Sequence, residues 1–554
     1  MLDLLFLSLT RAHREFHPRE RIVEEEYIDM GSFMFHMLVY FMAMVLVTKV
    51  MIVLWWRPMK IAKHFSKQGI KGPTYHFFIG NMKDVVELMR KASSQPMALS
   101  HNILPRVLPF YHHWKKLYGG TYLIWFGYSP RLTIFDPTLI REIYSTRSES
   151  YEKYESHPLV RKLEGNGLIS LKGARWAHRR KTISPVFHME NLRLMIPIMG
   201  KTVGAMLDKW AVISSSGKAE IEVSEWFQSL TEEVITRTIF GSSYDDGKAI
   251  YELQARQVVY ADEAFQKISF PGHRFLPTRR NRMSWKLVRE IESLLTRLIN
   301  RRKRDLDDQG CLPTNESNGV SPPPMDLLEC LIRASLSRQT GAAESEEIKI
   351  EDIVEECKSF FFAGKHTTSN LLIWATILLA MHPQWQQLAR EEVLRVCGAR
   401  ETPTKDDVAN LKTLGMIVNE TLRLYPPVVA SVRRPKADVE LGGMSIPKGT
   451  ELLIPILAVH HDTTIWGPDV SEFNPARFSQ GVARAANQPT AFMPFGLGAR
   501  QCIGQNLAII QAKLAMAMIL QRFLLEISPN YCHAPTLLML LYPQYGAPII
   551  FRNL

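Results

Sequence analysis

The chain has 554 residues, 46% of them hydrophobic, and a formal net charge of +12. That length and apolar content exclude a disordered or fibrous chain and accommodate a large single enzyme fold with a sizeable core. The positive balance suits an acidic partner or an anionic membrane surface; the lack of a basic cluster interleaved with aromatics argues against nucleic acid.

Residues 1–32 form a polar N-terminal extension of unknown role, charged from Arg11 to Asp29, with Met30 or Met34 as an alternative start. Residues 33–56 are apolar and long enough to cross a bilayer, and Trp55-Trp56 mark an interfacial end. Arg57, Lys60, Lys63 and Lys67 follow, which places the rest of the chain in the cytosol by the positive-inside rule. No small-residue cleavage site follows, so the segment reads as an uncleaved signal anchor of the endoplasmic reticulum membrane. Residues 57–73 are a basic, proline-containing linker that ends in the stiff turn Gly69-Ile-Lys-Gly-Pro73, and residues 74–554 are the catalytic body.

The body opens with alternating runs at Thr121–Phe126 and Arg131–Phe135, which predict strands of a small sheet. From about 137 onward helical patterns dominate. Leu306–Met325 is rich in Asp, Asn, Ser, Gly and Pro and predicts a disordered surface loop. Asn315-Glu-Ser and Asn419-Glu-Thr match the glycosylation sequon, but both belong to the cytosolic side. The six cysteines (311, 330, 357, 397, 502, 532) form no C-x-x-C pair, which argues against a zinc module or a disulfide framework.

A long helix is predicted from Ile350 to His382, where Pro383 stops it. At 1.5 Å per residue it spans about 45 Å, enough to cross a domain. In its middle, Ala363-Gly364-Lys365-His366-Thr367-Thr368 opens room beside the helix and invites a bend, because Thr hydroxyls back-bond to the preceding turn. The sequence reads either as a proton-passing site at Thr367 and His366 or as a polar break in a core helix.

Further on, Glu420-Thr-Leu-Arg423 puts an acid and a base on one helix face, either as a buried cluster with Arg477 or as a surface pair. Trp176-Ala-His-Arg-Arg180 sets an aromatic and a base one turn apart, as a carboxylate clamp or as a basic surface helix. The most informative stretch is Phe495-Gly-Leu-Gly-Ala-Arg-Gln-Cys502-Ile-Gly504. Cys502 stands between glycines, close to Arg500 and ahead of an Ala-rich helix, conditions that favour thiolate. One thiolate axial ligand is how haem iron is held where O–O cleavage is wanted; the alternative is a structural Cys in a turn. Gly496-Leu-Gly498 lacks the third glycine and the preceding strand of a dinucleotide fold, so electrons must come from another protein.

Taken together, Trp176/Arg180, Ala363-Gly364-x-x-Thr367, Glu420-x-x-Arg423 with Arg477, and the Cys502 loop resemble the cytochrome P450 family from about residue 70 to 554. The resemblance implies a mainly α fold with a small β-rich lobe, preceded by one N-terminal transmembrane helix. It also implies haem b as cofactor, O2 as co-substrate, and NADPH–cytochrome P450 reductase as partner. By that likeness Cys502 is the iron ligand, with Phe495 at the head of its loop. Thr367 and His366 are catalytic, and Trp176, Arg180, Arg433 and Arg500 hold the propionates. Glu420, Arg423 and Arg477 form the structural cluster. Most members carry an acidic residue where His366 stands, and His shuttles protons more readily near neutral pH.

Gly167–Trp176 and Phe187–Leu192 resemble the plant 72 clan. Val354–Lys365, Asn474–Arg484 and Leu541–Ala547 are similar to the brassinosteroid-inactivating 26-hydroxylases. That likeness implies side-chain hydroxylation of an apolar steroid hormone, with the same chemistry on a gibberellin, cytokinin or fatty acid, or a non-catalytic haem protein, as the alternatives. Expected substrate-facing segments are 155–168, 255–275, 360–363, 428–431 and 538–543.

Overall fold

The computed structural model describes residues 18–241, 244–266, 276–308, 324–336 and 348–554. Residues 1–17 of the expected extension and most of the expected loop at 306–325 lie outside the described residues. Helix α1 (Pro18–Met51) passes through a π-helical turn (Ile52–Trp56) into α2 (Arg57–Lys67). From Phe33 the helix is long and apolar enough to span a bilayer, and its side chains are exposed rather than packed on the body. A membrane-anchoring helix has this character.

The basic segment after the anchor is itself helical and lies on the body. Ile61 and Phe65, one turn apart on α2, are buried against Tyr75, Leu123 and Trp125. Polar clasps reinforce the contact: the Ser445 N–H donates to Gln68 Oε1 at 2.7 Å, and the Tyr75 hydroxyl donates to the Leu54 carbonyl at 2.5 Å.

Both predicted strands form, as β1 (Leu123–Phe126) and β2 (Ser129–Thr133). With β3 (Tyr151–Lys153), β4 (Ser431–Pro435) and β5 (Glu451–Ile454) they make a five-stranded sheet in the order β1-β2-β5-β4-β3. The β3–β4 pair is antiparallel and sets Lys153 directly opposite Arg433. A separate hairpin, β6 (Pro535–Leu538) and β7 (Leu540–Pro543), turns at Met539, whose φ is +59°.

The remainder is helical. The helices that matter for the site are α3 (Pro158–Glu164), α4 (Gly173–Ile183), α5 (Val223–Ile239), α6 (Tyr244–Gln266), α7 (Arg279–Asp308), α8 (Ile350–Met381), α9 (Lys412–Leu424) and α10 (Gln505–Arg522). The long predicted helix is α8. Asp352 accepts the Lys349 N–H at 3.1 Å at its start, and Pro383 opens the next helix after its end. From Thr368 to Ala380 every residue of α8 is buried, so this half is a central core helix, apolar nearly all round. Gly364 does not open room there as the sequence suggested. A Cβ on it would stand 2.6 Å from Ile235 Cδ1, so the glycine serves the close approach of α5.

Candidate active site

The Cys502 loop is held by its own backbone. The Cys502 N–H donates to the Phe495 carbonyl at 2.9 Å, and the Gln501 N–H donates to the Gly498 carbonyl at 3.0 Å. Two left-handed glycines make this closure possible, Gly496 at φ +72° and Gly498 at φ +66°. Any side chain at 498 is excluded as well by packing, since a Cβ would stand 2.1 Å from the Tyr144 carbonyl oxygen. Helix α10 starts at Gln505, so the thiol lies just ahead of its positive end.

Cys502 is accessible, yet it lies so deep that loss of solvation is the largest influence on it. Burial pushes the thiol up, while the Gly504 N–H and Arg180 pull it down. The expected thiolate therefore needs a cation at the sulfur itself.

Four cations gather beside this loop. Arg180 donates to the Gln501 carbonyl at 2.9 Å and ties α4 to the loop. Arg500 lies over the Trp176 ring at 4.2 Å, and Arg433 over the Tyr144 ring at 4.4 Å. Lys153 faces Arg433 across the strands and donates to the Ile169 carbonyl at 3.1 Å. Burial, then Arg433 and Arg180, pull Arg500 down to about 10. Burial lowers Lys153 too; Glu164 opposes this, and Arg433 and Arg500 add to it. Like charges opposed across a strand pair are destabilising. Among the described residues none of the four forms an ion pair with a carboxylate. A half-buried, mutually repelling cation set beside an accessible thiol fits a flat dianionic ligand with a thiolate-seeking metal, which is what haem with its two propionates offers.

The second charged cluster is closed on itself. Glu420 and Arg423, fully buried on α9, form a bidentate pair with both bonds at 2.7 Å. The remaining Arg423 donors reach the carbonyls of His460 and Val470 at 2.9 Å and of Glu472 at 3.2 Å. Arg477 approaches Glu420 at 3.7 Å and is held by Asp469 at 2.7 Å. The i,i+3 spacing is thus a buried cluster and not a surface pair. Asp469 is its fourth member, and the sequence had not singled it out.

On α8, the Thr367 hydroxyl donates to the Ala363 carbonyl at 2.7 Å, the back-bond expected of it. Its proton is therefore engaged, and its lone pairs remain to accept. Burial, with help from Lys365, holds His366 down to about 3. That favours the neutral imidazole. Lys365 turns to the other side of α8 and pairs with Glu232 of α5.

The three phenylalanines before this site divide. Phe360 stacks on Phe187 at 5.5 Å and Phe361 on Phe240 at 4.2 Å, both as core contacts. Phe362 alone, 5.4 Å from the His366 ring, joins a small apolar cluster with Val160 and Leu163 of α3, Val258 and Ala261 of α6, and Met539. This cluster draws on four of the five segments expected to face substrate. In the remaining one, Val429 is buried and Val428 exposed.

A helical body, a small sheet lobe, a loop-held thiol and an unneutralised cation set together define a haem-thiolate type of protein. Comparison with known proteins agrees. Residues 71–550 match the family model described as Cytochrome P450. The chain is 61% identical to Cytochrome P450 734A1 of Arabidopsis thaliana, over 92% of this chain and 95% of that protein. It is 58% identical to Cytochrome P450 734A6 of Oryza sativa subsp. japonica, over 91% and 93%. It is 41% identical to Cytochrome P450 72A397 of Kalopanax septemlobus, over 91% and 95%. The chain belongs to the cytochrome P450 family, and it is a monooxygenase.

Proposed function

We propose that this enzyme hydroxylates the terminal side-chain carbon, C-26, of a brassinosteroid and thereby inactivates the hormone. Electrons come from NADPH through NADPH–cytochrome P450 reductase, at the endoplasmic reticulum membrane with the body in the cytosol. The observation that carries the reading is the high identity to the 734A proteins along nearly the whole chain. The similarity to the 26-hydroxylases at Val354–Lys365 and Leu541–Ala547 includes or adjoins residues of the apolar cluster around Phe362 and Met539. A steroid is large, rigid and mostly apolar, so burial against such a wall supplies much of the affinity. A new hydroxyl on the side chain fits poorly in an apolar receptor site, hence inactivation.

In this reading Cys502 supplies the thiolate to haem iron, and Trp176, Arg180, Arg433 and Arg500 hold the propionates. Lys153, opposite Arg433 in the strand register, joins that set. Haem, when bound, supplies oxygen activation. Phe495 holds the Cys502 N–H through its carbonyl and so fixes the loop. Thr367 donates its own proton to the Ala363 carbonyl and has its lone pairs left to accept a hydrogen bond. His366, neutral, offers one donor and one acceptor nitrogen. Glu420, Arg423 and Arg477 keep the scaffold in register.

The test is to incubate the full-length enzyme, its reductase and NADPH with castasterone or brassinolide. A side-chain-hydroxylated product is expected. No such product, alongside turnover of a gibberellin or a fatty acid, moves the enzyme to another apolar substrate.

A further inference from the structure

One group of buried charges that neither touches the thiol nor belongs to the Glu420 cluster lies on the N-terminal half of α8. Glu356 and Arg179 are both buried. Glu356 accepts the Leu168 N–H at 2.8 Å with one oxygen and Arg179 Nη1 at 3.1 Å with the other. Beside it, Glu355 accepts the Asn166 N–H and pairs with Lys358 at 2.7 Å. One turn on, the Ser359 hydroxyl donates to the Glu164 carbonyl. Three side chains of α8 therefore grip the loop that runs from the end of α3 towards α4.

The loop is shaped to be gripped. A Cβ on Gly167 would stand 2.7 Å from both Glu356 Oε2 and Ser359 Oγ, and one on Gly165 2.7 Å from the Glu355 carbonyl oxygen. Only glycines allow that approach. What the grip holds is functional on both sides. Upstream lies α3, whose Val160 and Leu163 meet Phe362. Downstream lies α4, where Arg179 is next to Arg180 and one turn from Trp176. A buried ion pair is a weak source of stability compared with apolar packing, but it specifies geometry. Burial pushes Glu356 up to about 7, against the pull of the Leu168 N–H and Arg179.

We propose that Glu356 is a positioning residue which, through the Leu168 N–H and Arg179, fixes the substrate wall on α3 and the cofactor-side helix α4 against α8. The proposal rests on the site reading given above and deepens it. Its test uses full-length Glu356→Gln and Gly167→Ala enzymes in lipid nanodiscs, the second chosen because it leaves both charged side chains in the protein and crowds the loop against Glu356 and Ser359. Both should keep the red-shifted reduced carbonyl spectrum. Both should bind castasterone about tenfold more weakly by difference spectroscopy, the size of one coupled contact. KM should rise more than kcat falls. In substrate-free protein, amide hydrogen exchange at 165–169 should quicken about tenfold while exchange in α9 is unchanged. Unaltered exchange at 165–169, equal loosening of α9, or unchanged castasterone affinity in both variants would overturn the proposal. If castasterone gives no spectral change with the unaltered enzyme, the substrate reading fails and the exchange measurement still decides the positioning role.

Discussion

The two charged clusters differ in one respect that separates scaffold from receptor. Around Glu420, the Arg423 guanidinium meets a carboxylate or a carbonyl at each terminal nitrogen, and the charges cancel in place. Around Arg500, cations face one another with aromatic rings beneath them and no carboxylate paired among the described residues. A buried charge is tolerated when paired and hydrogen-bonded, and a set of like charges is tolerated when something else neutralises it. The first cluster is complete within the protein, and the second is left able to receive an anion.

The largest effect should come from opening the closed cluster. Arg423→Ala leaves Glu420 buried without its partner, which costs about 3–5 kcal/mol. Little folded protein is expected, and urea unfolding of whatever accumulates should show the loss with or without haem.

Acid should strike the same region next. His460 and His461, beside Arg423, are held down to about 3 by burial, as is His101, and His533 is held to about 4. Their folded values are depressed below the ordinary 6.5, so the unfolded chain takes up protons first. The stability they contribute is full above about pH 6.5 and is lost progressively as pH falls toward 3–4. Between about pH 7.5 and about pH 5.5 the loss should be about 1.4 kcal/mol per imidazole, read from urea titrations at the two pH values. Equal stability at both would mean that these rings are not held neutral.

The open cluster should respond with opposite signs in its two states. Arg500→Gln removes a repelling charge, so the haem-free protein should be unchanged or slightly more stable. Haem should be held less tightly by about 1.5–3 kcal/mol, the range for a charge-assisted bond. Haem transfer to apomyoglobin, followed by absorbance, measures the second effect, and thermal unfolding of the haem-free protein the first. A variant destabilised in both states would place Arg500 in the scaffold.

The smallest effects belong to the distal side of α8. Thr367→Ala should leave castasterone binding nearly unchanged while more peroxide is released per NADPH consumed. His366→Gln should do less, because a neutral imidazole and an amide both offer a donor and an acceptor. Unchanged coupling in Thr367→Ala would remove the residue from oxygen chemistry.

The sequence disclosed what depends on local spacing. The anchor, the first two strands, the helix from Ile350 and the glycine-bracketed thiol all follow from periodicity, breakers and short motifs. It was silent where distant segments meet. Lys153 became a site residue only through its register opposite Arg433. Asp469 joined the closed cluster by a turn the sequence does not specify. Gly364 looked like open room beside the helix and is closed by Ile235, because a glycine alone does not say which neighbour approaches it. His366 reads as a proton carrier near neutral pH, and the burial that lowers its pKa has no local signature in the sequence.

In this reading Cys502 would hold the iron of a haem whose propionates the open cluster would receive. Its most direct test is the spectrum of the reduced carbonyl complex in the unaltered enzyme and in Cys502→Ala. A red-shifted Soret band in the first and its complete absence in the second is the predicted result. Retention of that band in Cys502→Ala would contradict the account.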